Sequence, residues 1–296
     1  YLGQRFTKNI NERFGANIDI SSIQVSPFGY VKLHDILAYD HKQDTLLYVG
    51  YARLNTLRLR AILQGDNDLG NVFLKDVKFN STLYKNESES NVNQFFDRFS
   101  SDESTKAKTE IVASSISLVD ASIRIQNQNN SSRNAQRFTA LNADIQNFRL
   151  DGNVISADIK QVNAKTNWND TALTSLAGKY QFSPTSMVLE NAVIQTKESV
   201  LNVDIRLAYP KGGLKDFINK VNLSVGLKPS SIGVSDLKKI IPNWKGKSIK
   251  LKGVIDGFVK DFSTQGVKIN HQNTIAGLDG KIKNIFDMDS RSIEVD

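Results

Sequence analysis

Cysteine is absent from the 296 residues of this chain. Its absence excludes disulfide bonds, thiolate catalysis and zinc sites that use cysteine ligands. Histidine is also scarce, because only His34, His41 and His271 occur in the whole sequence. A Ser-His-Asp catalytic site would have to use one of these three residues, which leaves few arrangements for nucleophilic catalysis.

Recognisable catalytic and cofactor-binding motifs are missing as well. The sequence has no nucleophile elbow, phosphate-binding loop or dinucleotide fingerprint. His41 lies close to Asp40 and Asp44, a set that is able to hold a divalent ion, but Asp is also favoured in turns for its own hydrogen bonds. We favour the turn, and we predict a protein without enzymatic activity, metal or cofactor.

Long apolar stretches are lacking too. No run approaches the roughly 18 residues that a membrane-spanning helix needs. The chain begins at Tyr1 without an initiator Met, and it ends inside a strand-like pattern at Asp296. We therefore expect a fragment that is cut at both ends, with any membrane anchor outside it.

The basic residues do not form a nucleic-acid-binding pattern. The formal net charge is +7, but Lys and Arg are scattered and no reading motif accompanies them, so we expect no nucleic-acid partner. One lysine cluster is most simply a solvated face, and contact with anionic head groups is the alternative. Its members are Lys238, Lys239, Lys245, Lys247, Lys250 and Lys252.

An eight-residue pattern occurs four times along the chain. The copies are residues 31–38 (VKLHDILA), 72–79 (VFLKDVKF), 116–123 (ISLVDASI) and 187–194 (MVLENAVI). In each copy positions 1 and 3 are apolar, position 5 is Asp or Asn, and positions 6 and 8 are small or apolar. The copies are unevenly spaced, which indicates a quasi-repeat and favours an extended, stacked architecture.

Position 5 of the pattern predicts a bend within a strand. Side chains alternate between the two faces of a strand, so positions 1 and 3 share one face while 6 and 8 would lie on the other. A β-bulge at position 5 would correct this phase, and Asp or Asn tolerates the backbone angles that a bulge or tight bend needs. We therefore expect strands whose apolar face stays on one side across a bend.

The remaining patterns predict an all-β protein with a few short helices. Residues 1–15 form an amphipathic helix that either caps the first strands or lies near a membrane surface. Residues 16–90 are a first β segment, and 91–110 are a helical insert followed by a flexible loop. Residues 111–296 continue the β segment, with a short helix over 235–241 capped by Ser235.

Two stretches resemble a known family. Residues 25–49 (VSPFGYVKLHDILAYDHKQDTLLYV) and 176–203 (LAGKYQFSPTSMVLENAVIQTKESVLNV), with the helix ending at Phe14 and Gly15, are similar to the amino-terminal part of TamB proteins of the AsmA-like superfamily. His41, Asp44, Thr45 and Leu46 resemble the Bacteroidota branch. We expect the family's transmembrane helix and its carboxy-terminal domain to lie outside this fragment.

The resemblance implies a fold and a function. The fold would be an elongated, twisted antiparallel sheet that forms a half-pipe (β-taco) with an apolar groove. The function would be a periplasmic bridge, anchored in the inner membrane outside this fragment, that carries phospholipid acyl chains toward the outer membrane. The partner would be an outer-membrane barrel of the TamA type, with a link to outer-membrane protein assembly.

Under this interpretation the apolar positions of the repeats and of the clearest alternating strands line the groove. The candidates are Val31, Leu33, Val72, Leu74, Val77, Phe79, Ile116, Leu118, Ile123, Leu189, Ile194, Leu201, Val203, Ile205, Leu207, Leu251 and Ile255.

A closed structure is the alternative. The same residues would then pack against each other in a β-sandwich or solenoid with a structural or carbohydrate-active role. A carbohydrate-active protein would need a pair of carboxylates drawn from distant strands, which one sequence does not reveal.

Overall fold

A computed structural model describes residues 7–8, 11–12, 17–55, 61, 66–97, 110–129, 135–167, 172–241, 243–284 and 292–295. The chain divides into two compact units, Tyr1–Asp170 (unit 1) and Thr171–Asp296 (unit 2). The described residues are mostly in strands, with three short helices, which confirms the prediction of an all-β protein with few helices.

Unit 1 is built on one sheet whose described strands follow each other in chain order. The strands are β1 (Ile18–Val25), β2 (Tyr30–Tyr39), β3 (Thr45–Asn55), β4 (Asn71–Leu83), β5 (Glu110–Asn127), β6 (Gln136–Asp151) and β7 (Val154–Thr166). Helix α1 (Asn91–Asp97) lies between β4 and β5 in the sequence.

Neighbouring strands of unit 1 are antiparallel with one exception. Strands β4 and β5 are parallel, whereas we expected antiparallel pairing throughout. Two parallel strands need a long connection, because the chain must return to the end of the sheet at which the first strand began. In the sequence, β4 ends at Leu83 and β5 begins at Glu110, with α1 between them.

Unit 2 also carries sheet strands in chain order. They are β8 (Ala172–Ser183), β9 (Ser186–Gln195), β10 (Val200–Ala208), β11 (Asn222–Ile232), β12 (Ile249–Phe258), β13 (Phe262–His271), β14 (Thr274–Lys283) and β15 (Ser292–Val295). The pairs from β8 to β15 are antiparallel. A 3₁₀ turn (Gly213–Asp216) and helix α2 (Phe217–Lys220) precede β11, and helix α3 (Val234–Ile240) follows it.

The short helices match the sequence patterns in part. Of the predicted helix over 1–15, only residues 7, 8, 11 and 12 lie in the described part, and these are helical. The predicted insert helix is α1, and the flexible loop predicted after it lies outside the described residues. Helix α3 begins one residue before Ser235, and its N-cap is Gly233, so the predicted Ser235 cap is wrong.

None of the helices in the described residues is long and apolar enough to cross a bilayer.

The core of unit 1 is a single cluster of buried apolar residues drawn from β2 to β7. Its members are Val31, Leu33, Val49, Ala52, Leu54, Val72, Val77, Ala113, Ala121, Leu141, Ala143 and Ala164. Burying such side chains stabilises the fold by about 25 cal/mol for each Å² removed from water. The apolar residues of this cluster therefore contribute packing energy to this unit.

Candidate functional site

All four repeats bend at position 5. Asp35, Asp76, Asp120 and Asn191 have φ values of 50°, 52°, 55° and 50°, in the left-handed region. This region costs most L-residues about 1–2 kcal/mol, and Asp and Asn enter it most readily because their short polar side chains form local hydrogen bonds. The residue type at position 5 is thus explained by backbone conformation.

The bend keeps the apolar side chains of β2 on one face. Val31 and Leu33 are 0% and 4% exposed before Asp35, and Ala38 is 3% exposed after it. Ile36 packs against the same buried cluster as Val31 and Leu33. In an evenly pleated strand residues 33 and 36 would point to opposite faces, so the predicted phase correction is confirmed.

The bend is a bulge in some copies and not in others. Strand β2 keeps one register with β1 and with β3 on both sides of Asp35, so no extra residue is inserted there. Around Asn191 the register of β9 shifts by one residue against both β8 and β10, as in a β-bulge. The bulge prediction therefore holds at Asn191 and is wrong at Asp35.

Strand β3 keeps its register beside Asp35 and beside Asp76 because it changes phase together with its neighbours. Val49 and Ala52, three residues apart, are both buried in the core, so the alternation of β3 changes phase between them. Gly50 lies at this point, and a Cβ added to it would lie 3.0 Å from Asp76 Oδ2. Tyr48 Oη donates a hydrogen bond of 2.8 Å to Asp35 Oδ1, which raises the pKa of Tyr48.

The structure brings the predicted residues of unit 1 together. Val31, Leu33, Val72 and Val77 belong to the buried cluster, and Leu74, Ile116, Leu118 and Ile123 pack against it half-buried. Phe79 is half-buried and is paired with both Leu47 and Ile123, so it shares their face. The fully buried members are packing residues, whereas the half-buried ones are still accessible from this face.

Sequence reasoning missed much of this face. Val49, Ala52 and Leu54 of β3 were not among the candidates because the hidden phase change at Gly50 obscures their alternation. Leu141 and several alanines, which are Ala113, Ala121, Ala143 and Ala164, also belong to the cluster. The only signal of the four alanines is their small size, and alanine is too common for that signal to stand out.

In unit 2 the predicted residues also share one face. Leu189, Ile205 and Ile255 lie in one row across the sheet, where Ile205 is paired with Leu189 and with Val225, and Val225 with Ile255. Leu201 is paired with Ile194. Leu201 and Val203 are two positions apart in β10, so they lie on the same face. Leu207 and Leu251 occupy the same alternation in β10 and β12.

The apolar face of unit 2 is less covered than that of unit 1. Val203 is 3% exposed, but the other predicted residues of this unit are only half-buried. They are Leu189, Ile194, Leu201, Ile205, Leu207, Leu251 and Ile255. An apolar row that stays partly accessible has surface left for an apolar ligand.

A buried polar cluster fixes α1 to the strands of unit 1. Asp40 and Asn91 are each 2% exposed, and Asn91 Nδ2 donates to Asp40 Oδ2 at 2.9 Å. Asn91 Oδ1 accepts from the backbone N–H of Thr82 at 2.8 Å. Burial raises the pKa of Asp40, but hydrogen bonds from Asn91, Tyr84 and the N–H groups of Asp44 and Lys42 outweigh it and hold this pKa below its ordinary value.

The Asp40 turn is a hydrogen-bonded turn, as the sequence indicated. Asp40 Oδ1 accepts from the N–H groups of Lys42 and Asp44 at 2.8 and 3.0 Å. The hydroxyl of Tyr84 lies 2.7 Å from both Asp40 Oδ2 and Asp44 Oδ2. Burial and these two carboxylates raise the pKa of Tyr84. Within the described part of the chain, no group of three or more acidic or histidine side chains is arranged for a metal ion.

Next to this turn, Glu87 joins a pair of basic side chains. His41 Nε2 donates to Glu87 at 3.0 Å, and Lys42 Nζ lies 2.9 Å from Glu87 Oε1. Hydrogen bonds from His41, Lys42 and Gln94 outweigh the opposing effect of burial and lower the pKa of Glu87 to about 2. The carboxylate therefore serves to hold the turn to the start of α1.

Comparison of this chain with protein-family models and with curated proteins finds no match in either set.

Proposed function

We propose that this protein carries the acyl chains of phospholipids along the apolar face of the sheet strands in each unit, without enzymatic chemistry. In this proposal the strands of each unit curve into a half-pipe whose concave face is the apolar groove, and the head groups stay in water. The site of action would be the periplasm, with a TamA-type barrel as the outer-membrane partner, as the family resemblance implies.

One observation carries the proposal. In unit 1 an apolar face continues across the bends of successive strands in a single sheet, and the described residues form no second sheet that covers it. A flat sheet would leave such a face exposed, yet Val31 and Ala52 are only 0% and 2% exposed. Curvature of the sheet toward its apolar side, as proposed, would account for that burial.

The energy of lipid transfer explains why such a face would be needed. A two-chain lipid has about 30 methylenes, and at about 0.8 kcal/mol for each, exposing both chains to water costs on the order of 20 kcal/mol. A continuous apolar surface removes most of this barrier. The half-buried residues of unit 2 suit the task because they offer apolar contact without polar anchors that would hold the lipid in place.

A crosslinking experiment tests the proposal. A photoreactive amino acid is placed at Ile205, on the apolar face, or at Arg206, whose side chain is 65% exposed on the other face. We expect phospholipid from the expression host to be crosslinked at position 205 and not at 206, as detected by mass spectrometry. Equal crosslinking at both positions, or none at 205, would contradict the proposal.

A transfer assay tests the same residues in function. The chain is added to donor vesicles with a fluorescent phospholipid and to unlabelled acceptor vesicles. We expect Ile205→Asp to slow transfer about tenfold while the neighbouring Arg206→Ser transfers at the unsubstituted rate. Circular dichroism of both variants shows whether the fold is retained.

A further inference from the structure

A second surface of unit 2 lies on the face opposite the apolar row. Strand β12 alternates between half-buried and exposed residues along its whole length. Leu251 and Ile255 are on the half-buried side, so Lys250 and Lys252 project from the other side. A cavity of about 500 Å³ lies here, which is within the size range of small-ligand sites.

Strand pairing places three lysines around this cavity. Lys252 is directly paired with Lys268, and Lys250 is two residues from Lys252 on the same face. Like charges directly opposite each other destabilise a sheet. The cavity lining includes all three lysines, so their positive charge converges on one volume.

The three lysines have no acidic partner among the described residues. Within the described residues none of them forms an ion pair, whereas Lys228 and Lys283 of the same unit lie 3.0 Å from Asp204 and Glu294. An anion bound among the three would remove their mutual repulsion. Ammonium groups favour phosphate through charge-assisted hydrogen bonds.

Exposed apolar side chains flank the same cavity. Ile275 is 67% exposed and is paired with Asn270, which is paired with Lys250. Val200 is 38% exposed and is paired with Ser231, and Ser231 is paired with Lys250 from the opposite side of β12 to Asn270. One row across the sheet thus has an apolar residue at each end and a lysine between them.

We propose that the surface formed by Lys250, Lys252, Lys268 and Ile275 binds the phosphate group of an anionic amphiphile. The lysines hold the phosphate, and Ile275 and Val200 contact the first part of its hydrocarbon chain. The lysines of this head-group surface project from the opposite side of β12 from Leu251 and Ile255. Leu251 also lines the cavity, but Ile205 and Ile255 do not, so the head-group surface is proposed as a site distinct from the apolar row that contains Ile205.

Nuclear magnetic resonance of the isoleucine methyl groups tests this proposal on the full chain. The probe is dodecyl phosphate, used below the concentration at which it forms micelles. We expect the Ile275 methyl signal to shift on titration, and an Ile205→Asp variant, altered only on the apolar face, to give the same Ile275 titration. Loss of the Ile275 response in Ile205→Asp would contradict a separate site.

Charge variants and other probes complete the test. Lys252→Gln combined with Lys268→Gln should weaken dodecyl phosphate binding at Ile275 about tenfold or more, whereas Lys281→Gln, an exposed lysine outside the cavity, should leave it unchanged. Inorganic phosphate should bind more weakly than dodecyl phosphate, and the neutral detergent dodecyl maltoside should leave Ile275 unshifted. Equal binding of inorganic phosphate would indicate a free-anion site, and equal binding of the neutral detergent an apolar patch, and either result would overturn the proposal.

Discussion

Val72 on β4 lies directly opposite Ile116 on β5, so the first positions of the second and third repeats are neighbours in the sheet. The same register pairs Leu74 with Leu118 and Phe79 with Ile123. Because β4 and β5 are parallel, equivalent positions of the two copies lie side by side. Their bends at position 5 are therefore adjacent, and the apolar face passes from one strand to the next without interruption.

The first prediction concerns the backbone at position 5. Asp76→Val should lower the free energy of unfolding by about 1–2 kcal/mol or more, because a β-branched side chain is strained at φ 52°. Asp76→Gly should be close to neutral, since glycine adopts this conformation without strain. Urea unfolding followed by circular dichroism measures both. Lys75→Val, at the adjacent exposed strand position, is the control, and an equal loss there would argue against backbone strain.

The second prediction concerns the space beside Gly50. Gly50→Ala should destabilise the protein by about 1–3 kcal/mol, because its Cβ would lie 3.0 Å from Asp76 Oδ2 and 3.1 Å from Asp76 Cβ. Gly226→Ala is the matched control, since a Cβ there has no atom within 4 Å. Removing the Asp76 side chain should restore most of the loss, so the double variant Gly50→Ala, Asp76→Gly is measured alongside. A Gly50→Ala protein as stable as the Gly226→Ala protein would disprove the close approach.

The third prediction distinguishes packing residues from accessible ones. Leu33→Ala should cost about 2–5 kcal/mol of stability, because Leu33 is 4% exposed and its removal leaves a cavity. Leu118→Ala should cost clearly less, because that side chain is half-buried. Lipid crosslinking or transfer should be reduced more in Leu118→Ala than in Leu33→Ala when each variant is assayed at a temperature at which it has the same free energy of unfolding. The reverse order in the two assays would show that our division of the face is wrong.

The fourth prediction concerns the attachment of α1. Asn91→Ala removes the hydrogen bonds to the buried Asp40 carboxylate and to the partly buried N–H of Thr82 and leaves both groups without that partner. We expect a loss of about 2–3 kcal/mol and faster hydrogen exchange at Thr82. Asn93→Ala, two residues further along the same helix and at a half-buried position, should have a smaller effect. An Asn91→Ala protein with unchanged exchange at Thr82 would contradict this role.

The fifth prediction concerns acid stability. The pKa of Glu87 is about 2 in the folded protein and 4.5 for an unperturbed glutamate, so the unfolded state binds its proton first as pH falls. The contribution of Glu87 is therefore complete above about pH 4.5 and is lost progressively between pH 4.5 and 2. The stability difference between the unsubstituted protein and Glu87→Gln, measured by urea unfolding, should shrink across this range. A stability difference that is constant from pH 6 to 2.5 would exclude the predicted contribution of Glu87.

The sequence alone determined the strand character, the repeats and the special residue at position 5. These features are local, because alternation and left-handed φ depend on a residue and its near neighbours. The position-5 bend was predictable for the same reason, since few residues other than Asp, Asn and Gly adopt φ near 50°. The Asp40 turn was likewise visible in the sequence.

Only the tertiary structure decided which strands are neighbours and what each face meets. The parallel pairing of β4 and β5 joins segments that are far apart in the sequence, and the close approach of Gly50 to Asp76 likewise joins two different strands. The head-group surface arises in the same way, because Lys252 and Lys268 become neighbours only through the register of β12 and β13. Register is set by the length of the connecting turn and by pairing between strands, and the alternation within a single strand does not encode it.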